Sequence, residues 1–296
     1  MLKHLLMLFG ILLRNSMIVL EKHFTEWQPD FRHQCAPIID EVINDDCILR
    51  DATTGQFIAA QVRINGDITK VAAQISRMLR YDLKWALDSK RPARLSGIRS
   101  ANRVFGILEP NKLRRRFGCT QASLNRENPE LTALLTLIAK ENYRLFEELN
   151  PEQAKAHKDL VEENIHPDWL MGGTPFTSGI INYSAGLPYH KDSGNLIGSW
   201  SAMLALRKNM NGGALHLPEY GVTLGIPDQS ITIFNGQEVW HGVTPMIAAK
   251  KDAYRFTLVW YAKRKICQCV SAPEEANRAA HEAMLSGMPE ADDTQE

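Results

Sequence analysis

Three places in the sequence set a histidine two residues before an aspartate: His157-Lys158-Asp159, His166-Pro167-Asp168 and His190-Lys191-Asp192. An imidazole and a carboxylate that reach the same point make good ligands for a first-row metal. At most one of the three is expected to be a site, and the backbone beneath each pair selects it. His157 and Asp159 lie in "PEQAKAHKDLVEEN", which reads as helix; residues two apart on a helix point to roughly opposite sides. His166 and Asp168 flank a proline at a helix end, with no strand before them to fix them. His190 and Asp192 follow the strand-like "GIINY" through a turn at Gly186, Leu187 and Pro188. In extended chain, residues two apart share a face, so these two side chains can enter one cavity.

A third ligand is needed, and His241 in "EVWHGVTP" supplies it, after the strand-like "SITIFNG". Two histidines and one carboxylate form the facial triad of non-haem Fe(II), which leaves positions open for co-substrate and oxygen. Arg255 stands in "YRFTLVWYA", an otherwise almost wholly apolar strand. A guanidinium there is costly unless paired, and a dicarboxylate co-substrate would pair it through a bidentate fork. Thr257 shares its face and can add a hydroxyl donor. Asn182 and Tyr183, on the strand before the His190 turn, could touch the co-substrate or equally be core. His216, between Leu215 and Leu217, should face away from them as a structural residue. Trp240 reads as packing.

These residues must be carried by strands, and the sequence changes texture to provide them. Cys47–Arg50 and Phe57–Ile64 read as strands joined by "DATTGQ". Asp67 looks like an N-cap for a helix whose apolar positions are Val71, Ile75, Met78, Leu79 and Leu83. "RVFGILEP" reads as a further strand. "NPELTALLTLIAKENYRLFEELN" is an amphipathic helix capped by Asn128, and Asn150-Pro151 opens a third over Glu152–Glu163. From about Phe176, short apolar runs alternate with Gly, Pro and Asn turns: "FTSGIINY", "SAMLALR", "ALHLPEY", "VTLGIP", "SITIFNG", "YRFTLVWYA". The expected class is α+β, with a double-stranded β-helix (jelly roll) core over about 176–265 and an N-terminal helical shell. Residues 17–269 form one domain. Residues 1–16 are a doubtful extension with Met17 as an alternative start, and 270–296 an acidic, mobile tail.

Bulk properties exclude little. The chain has 296 residues, 44% hydrophobic, with formal net charge +0, enough for one large core. Basic residues cluster between Lys90 and Arg116, Arg99 among them, against the single acid Glu109. Such a segment suits a polyanion, with a solvated face as the bland alternative. The five cysteines (Cys35, Cys47, Cys119, Cys267 and Cys269) show no disulfide framework and read as reduced thiols of a cytoplasmic protein, or a nuclear one in a eukaryote. The apolar run Leu5–Leu13 is too short to span a bilayer, so no membrane role is expected. No obligate protein partner is evident.

With "FTSGIINYSAGLPYHKDSGN", "NGGALHLPEYG", "EVWHGVTP" and "YRFTLVWYA" in order, and "RPARLSGIRSANRVFG" upstream, the chain resembles the Fe(II)/2-oxoglutarate dioxygenases, and among them the TET/J-binding-protein branch. The resemblance covers roughly Cys47 to Ala262. It implies Fe(II) on His190, Asp192 and His241, 2-oxoglutarate on Arg255 with Thr257 and Asn182, and O2 as oxidant. It implies oxidation of the 5-methyl group of 5-methylcytosine or thymine in DNA, on a flipped-out base, with Asn195 and Arg99 as substrate contacts. Gly194 stands where the TET motif has a histidine, and "WYAKRK" lacks the TET histidine beyond the arginine, so both bases remain open. Two alternatives also remain: a 2-oxoglutarate oxygenase acting on a protein side chain or small molecule, and a non-catalytic cupin-like binding module.

Overall fold

A computed structural model of the chain describes residues 16–23, 34–82 and 101–287. In chain order its strands are β1 (Ser16–Leu20), β2 (Cys47–Asp51), β3 (Phe57–Arg63), β4 (Ala101–Leu108), β5 (Thr120–Gln121), β6 (Ser178–Tyr183) and β7 (Ser201–Lys208). They continue as β8 (Met210–Gly212), β9 (Leu215–Leu217), β10 (Val222–Leu224), β11 (Ser230–Phe234), β12 (Gly242–Val243), β13 (Met246–Ala248) and β14 (Tyr254–Tyr261). The helices are α1 (Ile68–Arg77), α2 (Ser123–Glu127), α3 (Pro129–Leu149), α4 (Pro151–Asn164) and α5 (Ala272–Ser286).

Nine strands form one large sheet in the order β1-β2-β3-β11-β7-β14-β6-β4-β5; β10-β9-β12 form a three-stranded sheet and β13-β8 a two-stranded one. Period-two alternation assigns each residue to a layer. On β7, Ala202, Leu204 and Leu206 join the cluster that includes Leu131, Leu135, Ile138 and Phe146 of α3. Met203 and Ala205 face the other way, into a second cluster with Leu215, Leu217, Val222 and Leu224 of the small sheet. On β14, Phe256, Leu258 and Trp260 lie on the helix side, while Arg255, Thr257, Val259 and Tyr261 line a cavity on the other. Helix α3 earns its place by the spacing of Leu131, Leu134, Leu135, Ile138, Leu145 and Phe146, an apolar stripe at i, i+3, i+4, i+7.

The α+β class and the jelly-roll core are as expected, with four corrections of detail. First, the sheet itself is not confined to 176–265. β1 to β5 extend the large sheet on both sides, and β1 runs parallel to β2 from Ser16 onward. Second, within the segment expected as an acidic, mobile tail, the described residues up to 287 hold helix α5. Ser271 and Glu274 form a capping box for α5, and the Glu275 carboxylate is buried, accepting hydrogen bonds from the backbone N–H of Cys119 (2.7 Å) and Val270 (3.0 Å). Third, not all cysteines are free. Cys119 and Cys269 form a disulfide across 150 residues of sequence, a separation that carries no spacing signal; Cys35, Cys47 and Cys267 are free. Fourth, Asp67 and Asn128 occupy cap positions without making side-chain cap hydrogen bonds, because Asp67 pairs with Lys70 and Asn128 donates to the Leu124 carbonyl. Asn150 does cap α4, accepting from the Gln153 N–H. No helix among the described residues is long and apolar enough to cross a membrane.

Candidate functional site

The turn after β6 and the turn after β11 are zipped together by their backbones. The Asp192 N–H donates to the Gly236 carbonyl (2.8 Å), His190 and His241 exchange both their backbone hydrogen bonds (2.9 and 3.1 Å), and the Val243 N–H donates to the Leu187 carbonyl (2.9 Å). Two histidines far apart in sequence thus become direct neighbours, with ring centroids 4.2 Å apart. Candidate ligand atoms of His190, Asp192 and His241 lie within 4.8 Å of one another, and this is the metal-competent cluster among the described residues.

Hydrogen bonding fixes which ring nitrogen each histidine offers. Nδ1 of His190 lies 2.9 Å from the Pro188 carbonyl, and Nδ1 of His241 lies 2.9 Å from the Val239 carbonyl. A carbonyl only accepts, so each Nδ1 carries a proton, and in the neutral ring Nε2 is the nitrogen with the lone pair. Both Nε2 atoms face Asp192 Oδ1, at 3.6 and 3.8 Å. Burial holds His241 well below the usual histidine range, so it stays neutral. Two lone pairs and a carboxylate oxygen converging on one point repel unless a cation lies between them, and an orienting bond on the remote nitrogen is what metal-ligating histidines make. This donor set fits Fe(II).

The other carboxylate oxygen is held from outside. Asn195 Nδ2 donates to Asp192 Oδ2 (3.4 Å) and to Ser201 Oγ (3.1 Å). Asn195, expected as a base contact, lines the cavity; it is 5% exposed, and its amide nitrogen is directed at Asp192 and Ser201. Gly236 makes room for this carboxylate, since a Cβ there would stand 2.2 Å from Asp192 Oδ2.

A cavity of about 410 Å³ opens beside the triad. Arg255 is 1% exposed, and its Nε and Nη1 have no hydrogen-bond partner among the described residues. Burial, reinforced by the nearby positive Arg207, pulls its pKa down to about 9, so it is still cationic at neutral pH. Gly213 permits its approach, as a Cβ there would meet Nε at 2.7 Å. Thr257 and Asn182 face each other across β14 and β6, and Asn102 faces Asn182 across β4 and β6; all three line the cavity. Tyr183 is in the core against Phe256, at 5.0 Å between ring centroids. His216 bonds Thr223 Oγ1 (2.9 Å), and Trp240 lies under the Lys191 ammonium, 5.4 Å from its ring centre.

Several lining residues carry no motif signal: Asn102, Lys191, Tyr261 and Lys263. Extending the alternation of Arg255 and Thr257 along β14 would have found Tyr261. Burial pushes the Tyr261 phenol up, with Asp192 and Glu109 adding to the effect, so it remains a proton donor. Lys263 pairs with Glu109 at 2.5 Å.

The two other His-x-Asp pairs have structural tasks. His157 is 1% exposed and its Nδ1 accepts from the Trp200 N–H, while Asp159 pairs with Lys155 at the surface. Asp168 Oδ2 accepts from the Ala272 N–H (2.8 Å) at the start of α5. Arg99, and the Lys90–Ser100 part of the basic segment, lie outside the described residues.

Comparison with known proteins agrees with this geometry. Residues 111–264 match the Tet_JBP family, described as the oxygenase domain of the 2OGFeDO superfamily. "Thymine dioxygenase JBP1" of Leishmania major is 25% identical over 136 residues, 45% of this chain and 16% of that protein. "Bifunctional helicase and thymine dioxygenase JBP2" of Trypanosoma brucei brucei is 23% identical over 251 residues, 82% of this chain and 22% of that protein. The chain thus spans about a fifth of the length of these curated relatives. The solved structure of "NgTET1 in complex with 5mC DNA" matches with a TM-score of 0.53 at 14% identity, covering 84% of this chain and 91% of that one, a likeness of fold. The family match takes in more than half of the 296 residues, including every candidate ligand and Arg255: the chain belongs to the Tet_JBP family of Fe(II)/2-oxoglutarate oxygenase domains.

Proposed function

We propose that this oxygenase domain oxidises the 5-methyl group of a pyrimidine in DNA, 5-methylcytosine or thymine, with His190, Asp192 and His241 holding Fe(II). The carrying observation is that three converging ligand atoms share one cavity with a buried Arg255, whose Nε and Nη1 find no hydrogen-bond partner among the described residues. In this reading Arg255 grips the far carboxylate of 2-oxoglutarate, and Thr257 and Asn182, opposite each other, steady it with polar hydrogens. When bound, Fe(II), 2-oxoglutarate and O2 supply the oxidant: the co-substrate becomes succinate and CO2, one oxygen atom entering the succinate and the other the methyl C–H bond.

The protein's residues order this chemistry. The carbonyls of Pro188 and Val239 fix the histidine tautomers. Asn195 holds Oδ2 of Asp192, leaving Oδ1 to the metal. Apolar walls from Met203, Leu215, Phe234 and Val243 limit water in the cavity. A methyl group inside a duplex cannot reach such a cavity, so the nucleotide is flipped out. The DNA assignment is supported by the two curated relatives, both described as thymine dioxygenases.

The test is direct. The protein is incubated with Fe(II), 2-oxoglutarate, ascorbate and DNA containing thymine or 5-methylcytosine, and the nucleosides are read by mass spectrometry. Hydroxymethylated nucleoside is expected from the wild type and not from His190→Ala or Asp192→Ala. Succinate formed without any altered nucleoside would redirect the assignment to a protein or small-molecule substrate; no succinate would favour a binding module.

A further inference from the structure

A flipped base leaves a gap in the stack, and enzymes that flip bases must offset the lost stacking. Resting on the DNA reading above, we propose that the turn Asn111–Arg116 is the element that enters the duplex, with Leu113 filling the vacated space and Arg114 and Arg115 on the flanking phosphates.

Leu113 is 98% exposed, more than any other large apolar residue described. A single exposed leucine is ordinary on a protein surface; its setting is not. Lys112, Arg114 and Arg115 surround it, all exposed, and the Arg114 and Arg115 guanidinium groups have no partner among the described residues. Apolar tip and adjacent cations are the combination that suits a base stack bounded by phosphates.

The turn is also stiff, as a wedge must be. The Asn111 N–H donates to the Arg116 carbonyl (2.7 Å), and the Arg116 N–H returns a bond to the Asn111 carbonyl (3.0 Å). The Asn111 side chain accepts from the Arg114 N–H (3.2 Å). Arg115 is held in the left-handed region, at φ 53°, where a residue with a side chain persists only if its surroundings impose it. Lys112 ties the turn to Glu282 of α5 (2.9 Å).

Its position completes the case. Buried Arg116 donates from Nε to the Glu109 carbonyl (2.6 Å), and the Glu109 carboxylate pairs with Lys263, which lines the cavity. Leu113 is four residues from Glu109, a reach of at most about 14 Å. The turn is thus held close to the cavity wall through Glu109 and Lys263, within reach of a base flipped into it.

The experiment uses the full chain with Fe(II) and 2-oxoglutarate, on one oligonucleotide offered as a duplex and as a single strand, with hydroxymethyl nucleoside measured. Leu113→Ser should lower the ratio of duplex to single-strand turnover by about tenfold or more, and Leu113→Phe should keep the wild-type ratio. Arg114→Gln and Arg115→Gln should each reduce the slope of log Kd against log salt for duplex DNA by about one. A Leu113→Ser ratio within about twofold of wild type, or unaltered slopes in both arginine variants, overturns the wedge while leaving the DNA reading intact. A wild-type protein that oxidises neither form overturns both. Because the measured quantity is a ratio, a loss of fold, which lowers both terms, is not mistaken for support.

Discussion

Arg255 is a cation enclosed by protein with two of its nitrogens facing no acceptor, a state that folding alone would not favour. Its counter-charge must come from a ligand. Arg255→Ala is therefore expected to weaken 2-oxoglutarate binding by about 3–5 kcal/mol, roughly two to three and a half decades in Kd, measurable by calorimetric titration of the metal-loaded protein. An unchanged Kd would remove Arg255 from the co-substrate site. This residue was legible in the sequence because a lone charge in an apolar strand is anomalous by itself. Asn195 shows the limit of such reading. Its place three residues after Asp192 suggested the substrate, and it does line the cavity, but its hydrogen bonds to Asp192 and Ser201 carried no signal in the sequence. A short polar side chain has several partners within reach, and only the backbone trajectory chooses among them. Gly213 and Gly236 were equally illegible: their task is the space they leave, and an absent Cβ leaves no pattern.

At the scale of elements, strands and helices with a strong period could be read directly, and turns could separate the true His-x-Asp pair from its duplicate in α4. The duplicate has its own role. His157 receives the Trp200 N–H and packs between Phe146 and Phe176, tying α4 to the large sheet. Burial lowers its pKa from 6.5 to about 4. The unfolded chain then binds a proton that the folded one refuses, so this contribution is complete above pH 6.5 and is lost as pH falls toward 4. Urea midpoints should decline between pH 7 and pH 5 in the wild type, and less steeply in His157→Gln, whose stability at pH 7 is lower. Parallel pH profiles would show that His157 does not carry the effect. The start of helix α5 could have been read from Ser271 and Glu274, a capping-box pair, but not its anchor, a buried Glu275 serving N–H groups such as that of Cys119, far away in sequence. Acidic composition alone suggested a solvated tail.

For the molecule as a whole, the sheet was underestimated. β1 to β3 join it through pairing of β3 with β11, a long-range contact that no local pattern announces. The Cys119–Cys269 bond closes a loop of 150 residues around the cavity-bearing strands. Reduction, or Cys119→Ser, should cost about 2–5 kcal/mol of stability, seen as a fall in Tm in dithiothreitol that is absent from the variant; equal Tm values with and without reductant in the wild type would contradict it. The placement of side chains across the large sheet has a further consequence. The buried helix-facing residues of β7 and β14 (Ala202, Leu204, Leu206, Phe256, Leu258 and Trp260) are apolar, and the Arg255, Thr257 and Tyr261 side chains open on the opposite surface. Packing against the helices and lining of the cavity thus lie on two sides of one layer, although Met203 and Leu215 also belong to the second buried cluster. Repacking Leu204, Phe256 or Leu258 on the helix side adjusts thermal tolerance, while substitutions at the cavity-lining Met203, Leu215 or Val259 reshape the cavity.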